Sequence, residues 1–96
     1  MTLRYDSEPE RDVYVVGDGY RFWVKDGSGR YVVIISRELL ANLVYPEQPE
    51  TAFETYSGAI LHYAEKLISD GSTEKHEDHR FMVMRPHNAD AIRSCA

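Results

Sequence analysis

Hydrophobic positions repeat at helical spacing most clearly between Thr51 and Gly71. There Phe53, Tyr56, Ile60, Tyr63, Ala64, Leu67 and Ile68 fall on one stripe, while Glu54, Ser57, Glu65, Lys66 and Ser69 fall elsewhere. The spacing predicts a long amphipathic helix with one core face. Thr51 and Glu54 stand at capping-box separation, and Pro49 just before them discourages an earlier start. Gly71 can adopt the left-handed conformation that closes a helix. Gly58 interrupts the stripe at a cost of about 1 kcal/mol relative to Ala, which implies either a close neighbour or a tolerated position.

Upstream the period changes from helical to strand-like. Val13–Val16 is a β-branched and aromatic run, Gly17, Asp18 and Gly19 supply a turn, and Tyr20–Lys25 is a second run. Asp26–Gly29 is a second turn, followed by Arg30–Ile35, so rich in Val and Ile that both of its faces are mostly apolar. The pattern predicts a three-stranded antiparallel meander. Ser36 suits a helix N-cap, with Glu38 in the first turn, and Leu39, Leu40, Leu43 and Val44 give a short helix ended by Pro46 and Pro49. After Gly71, Ser72–His79 is expected to be a polar loop, and Arg80–Arg85 a fourth strand closed by Pro86. The predicted fold is α+β in the order β-β-β-α-α-β. Residues 1–11 are expected to form a flexible arm, residues 12–86 a single α+β domain, and residues 87–96 a tail with at most one helical turn from Asn88.

In the second strand Tyr20, Phe22 and Val24 share one face and Arg21, Trp23 and Lys25 the other. In the third, Tyr31, Val33 and Ile35 oppose Val32 and Ile34. One long helix covers only one side of such a sheet. The other side requires the short helix, the tail or another molecule, and with seven tyrosines in the chain the expectation is a homodimer or a complex with an unidentified protein partner.

Composition narrows the classes. At 96 residues there is room for one modest core. A hydrophobic content of 43% with 28% charged residues is that of a folded domain. Eleven basic against 16 acidic side chains leave a formal charge of −5, which disfavours non-specific attraction to nucleic acid or an anionic membrane. No apolar run suggests a signal peptide or a transmembrane helix, and Cys95 is a lone cysteine, so the expected setting is a reducing cytoplasm with no membrane partner.

The Ile35-Ser36-Arg37-Glu38-Leu39 stretch after a strand hairpin, followed by Ala52-Phe53, Ile60 and Ala64 on a long helix ending in Gly71, resembles a family of small bacterial proteins, the domain-of-unknown-function family numbered 1488. The resemblance runs from about Asp12 to Met84. It departs at Ser57, where that family's long helix is expected to carry a basic residue, and in a longer tail after Pro86. It implies a bacterial, compact α+β protein and brings no activity, cofactor or catalytic residue.

Candidate chemistry is sparse. His76-Glu77-Asp78-His79 is the densest group of possible metal ligands, but a closed zinc site needs four ligands and this segment offers a weak pair. It is better explained as a solvated loop. Asp26-Gly27-Ser28-Gly29 is glycine-rich yet followed by a strand rather than the helix a phosphate cradle requires. Cys95 and His87 lie in the tail, His62 at the edge of the helical stripe, and no two carboxylates pair across a cleft, so no enzyme and no cofactor is expected. Met82 and Met84 alternate as in a half-buried strand. Arg21, Trp23 and Lys25 form the one candidate binding face, a basic and aromatic row able to contact a small molecule or a single-stranded nucleic acid. A non-enzymatic protein-association module is the leading expectation, with that row as the alternative.

Overall fold

Val33 and Ile35 are fully buried beneath three helices. The computed structural model describes residues 3–8, 10–12, 19–27, 29–44, 51–76 and 79–95. Along these run β1 (Arg4–Tyr5), β2 (Glu10–Asp12), β3 (Gly19–Asp26), β4 (Gly29–Ser36), α1 (Arg37–Val44), α2 (Thr51–Ser69), β5 (Glu74–His76), β6 (His79–Met84), a 3₁₀ turn (Pro86–Asn88) and α3 (Ala89–Ser94). The six strands occupy five positions across one sheet, β1 or β2, then β3, β4, β6 and β5, because β1 and β2 lie along the same edge of β3. The α+β class is as expected; the order of elements differs.

The β3–β4 hairpin follows the sequence reading. Its register pairs Trp23 with Val32 and Lys25 with Arg30, and the Asp26 carboxylate accepts the Gly29 amide across the turn (3.1 Å). The expected first strand, Val13–Val16, and the proline connector lie outside the described residues. The segment expected to be a loose arm instead carries β1 and β2. Leu3 is buried, its amide donates to the Glu65 carboxylate (3.0 Å), and the Tyr5 hydroxyl donates to the Ser57 carbonyl (2.9 Å). Leu3 and Tyr5 alternate inward, and a two-residue run of that kind is too short to register as a strand pattern.

Two further corrections concern the second half of the chain. The fourth strand of the prediction, β6, to which the pattern assigned no partner, pairs parallel with β4, which places α1, α2 and β5 within one long crossover. The predicted loop before it contains β5, which makes an antiparallel hairpin with β6. The tail is also ordered within the fold. Asn88 closes the turn after Pro86 by accepting the Arg85 amide (2.8 Å), and α3 buries Ala89 and Ile92 in the same core as the other helices.

The Ser36 cap and the Gly71 closure form as predicted. Ser36 Oγ accepts the Leu39 amide (3.0 Å) at the start of α1. At the end of α2, Gly71 has φ +71 and donates to Ile68, while Ser72 donates to Leu67, the paired bonds of a Schellman closure. Helix α2 kinks at Tyr56 (φ −112, ψ 15), immediately before the Ser57-Gly58 pair and where Tyr5 bonds the Ser57 carbonyl. Phe53, in the turn before the kink, packs edge-on against both Tyr20 and Phe22 (centroids 5.4 and 5.5 Å). No atom lies within 4 Å of a side chain built at Gly58, so that glycine is tolerated rather than required.

Denaturant unfolding of three variants tests these features. Gly58→Ala should raise stability by about 0.5–1 kcal/mol, whereas Gly71→Ala, forced into a left-handed conformation, should lower it by about 1–2 kcal/mol. Ile92→Ala should cost about 2–5 kcal/mol, as for any core side chain, and a loss below 0.5 kcal/mol would contradict the burial of α3.

Candidate binding face

The pleat of β3 turns Phe22 and Val24 towards the helices and Arg21, Trp23 and Lys25 away from them. The buried residues of all three helices belong to the inner cluster with Phe22, Val24, Val33, Ile35, Met82 and Met84. Register then assembles the outer face. Trp23, Val32 and Phe81 make one row across β3, β4 and β6, and Arg21, Ile34 and Val83 the next. Val32 and Ile34 are only 9% and 6% exposed, while Trp23, Phe81 and Val83 are half-buried at its accessible surface.

The three residues singled out in the sequence share this face, but their surroundings change what they can do. Asp6, whose amide donates to the Trp23 carbonyl (2.8 Å), accepts both Lys25 Nζ (2.9 Å) and Arg30 Nε (2.6 Å). The hydrogen bond from Lys25, the charges of Lys25 and Arg30, and a bond from Arg30 together hold the Asp6 carboxyl below its ordinary range despite partial desolvation. The Arg30 guanidinium sits 4.2 Å from the Trp23 ring centroid, and the His79 ring meets the indole at a near right angle, 5.1 Å between centroids. Lys25 is therefore ion-paired, sharing one carboxylate with Arg30, and one side of the indole is already stacked. Arg21 is exposed at the rim, opposite Glu10 of β2.

The hairpin loop between Asp26 and Gly29 sets a register that places Arg30 opposite Lys25, so Arg30 was within reach of sequence reasoning. Asp6, His79 and Phe81 were not, because each joins the face through pairing that no local pattern specifies. The remaining candidates do not converge. His76 and His79 are opposed across the β5–β6 hairpin in the backbone register, and Glu77 and Asp78 lie outside the described residues. No group of three potential metal ligands forms among the described residues. His62 is exposed, with Nδ1 3.4 Å from the Cys95 carbonyl, and Cys95 is half-buried at the end of α3. His87 is exposed beyond β6. Among the described residues no helix is long and apolar enough to cross a membrane.

No protein-family model, curated protein or solved structure matches the chain.

The Asp6 pair of ion contacts gives an acid-side signature. A carboxyl depressed in the fold stabilises above its unfolded pKa of about 3.9 and loses that contribution as pH falls through the lower folded value. Unfolding of the wild type and Asp6→Asn should therefore differ at pH 7, and the difference should close below about pH 4.

Proposed function

We propose that the chain is a non-enzymatic cytoplasmic association module whose outer sheet face pairs with a second copy of itself. The observation that carries this reading is the row of Trp23, Val32 and Phe81 with Ile34 and Val83 beside it, on the side of the sheet away from the core shared by α1, α2 and α3. The 30 strand residues of the sheet, at about 3.3 Å of rise and about 4.8 Å between strands, outline roughly 480 Å². Side-chain relief raises that towards the roughly 800 Å² that each partner of a standard interface buries.

Charge selects the occupant. The face interleaves Arg21, Lys25 and Arg30 with Asp6, Glu10 and Glu74, and a two-fold contact, which sets one patch against itself, suits a surface carrying both signs. Nucleic acid is the weaker partner. Lys25 and Arg30 already share one carboxylate, Arg30 occupies the indole, and the chain carries −5 overall. Membership of the bacterial family numbered 1488 is a further proposal, resting on the residues quoted for it, and adds no activity.

Sedimentation equilibrium should reveal a concentration-dependent dimer. Phe81→Glu should weaken it at least about 100-fold and Trp23→Ala at least about tenfold, with thermal unfolding still cooperative in both. A monomer at millimolar concentration, or a dimer indifferent to Phe81→Glu, would end this reading. Salt-sensitive binding of a single-stranded oligonucleotide, lost in Trp23→Ala, would replace it with the nucleic-acid one.

A further inference from the structure

Strand β5 accompanies β6 only from His79 to Phe81, whereas β4 flanks the other side of β6 up to Met84. From Met82 to Met84, β6 therefore has no strand on its β5 side among the described residues. The cause lies at the end of α2. The Schellman closure commits the Ser72 amide to the Leu67 carbonyl, so the chain joins β6 only at the level of Phe81.

The space left between α2, the free half of β6 and the 3₁₀ turn is a cavity of about 260 Å³. Leu67 and Met82 supply apolar wall, and the polar groups are ordered along the strand. Glu74 stands at the level of Phe81, and Arg85 and His87 follow the end of β6, about 13 Å further along. Glu74, Arg85 and His87 are exposed, and none of them forms an ion pair among the described residues. The Tyr63 hydroxyl, also in the lining, accepts Asn88 Nδ2 (2.8 Å) and keeps its own proton to donate. Burial raises its pKa, which keeps that donor in place at neutral pH.

We infer that this cavity binds a short extended peptide of two or three residues, with its ammonium at Glu74, its carboxylate at Arg85 and His87, and its backbone along the free edge of β6. An anionic end and a cationic end on either side of an unpaired strand edge complement a zwitterion that can itself form β-type hydrogen bonds. An extended peptide gains about 3.3 Å per residue, so three residues span most of the distance and the long side chains of Glu74 and Arg85 supply the remainder. The volume lies just under the range of about 300–1,000 Å³ typical of drug-sized sites, which favours a ligand of that length.

Titration of isotope-labelled protein with trialanine, followed by amide chemical shifts, tests the assignment. Saturable shifts are expected at Val83, Arg85 and Asn88. Amidating the peptide's C-terminus or introducing Arg85→Gln should each weaken binding at least about tenfold, as should acetylating its N-terminus or introducing Glu74→Gln. Both substitutions are at exposed positions, and an unchanged thermal midpoint verifies the fold. Absence of saturable shifts up to about 10 mM peptide, equal binding of the doubly capped peptide, or equal binding of acetate or free alanine would each overturn the inference. Shifts confined to Trp23 and Phe81 would also overturn it.

Discussion

Strand β4 is apolar on both faces, and a sheet with such a strand near its centre has to be answered on two sides. The inner side is answered within the chain. Val33 and Ile35 meet α1, α2 and α3 in a single core, and β6 completes it from the next position with Met82 and Met84. The helices of that core all lie on the inner side; on the outer side Val32 and Ile34, 9% and 6% exposed, stand in rows with Trp23, Phe81 and Val83. Hydrophobic burial is non-directional, so it accepts either a helix of the same chain or another surface. Among the described residues the first solution is the one used on the inner face, where all three helices lie.

Polar groups on that outer face are organised around Asp6. One carboxylate holds Lys25 and Arg30, and Arg30 in turn stacks on Trp23, so an edge strand, a hairpin and an aromatic ring are joined by a single charge. One carboxylate shared by two cations leaves the trio with a single net positive charge, held close to the indole. The cavity beside β6 differs in that Glu74 and Arg85 stand apart along a strand edge with no partner among the described residues. The two sites arise from the same topological fact. Once β6 enters parallel to β4, the polypeptide that precedes it has to arrive from α2, and it reaches the sheet at Phe81 rather than at Met84.

Where the chain's own pattern is strong and local, sequence and structure agree. The stripe of α2, its closure at Gly71, the Ser36 cap of α1 and the alternation along β3 and β4 all rest on neighbours within about five residues, and their physics is complete at that range. The division of Tyr20, Phe22 and Val24 from Arg21, Trp23 and Lys25 belongs to the same class. Disagreement begins with elements too short to carry a period. Leu3 and Tyr5 contribute two inward positions, β5 three residues, and α3 little more than one turn with Ile92 as its anchor; each is stabilised by what it packs against rather than by propensity.

By itself, then, the sequence determined the class of fold, the main helix and its ends, the β3–β4 register and the face on which Trp23 stands. Only the tertiary structure decided that β6 runs parallel to β4, that the N-terminal residues complete the sheet edge, and that Asp6 and His79 join Arg30 around Trp23. The physical reason is range. Periodicity and capping chemistry are written in adjacent residues, whereas strand partnership is a choice among distant segments of similar apolar character, settled only when the whole core is buried at once.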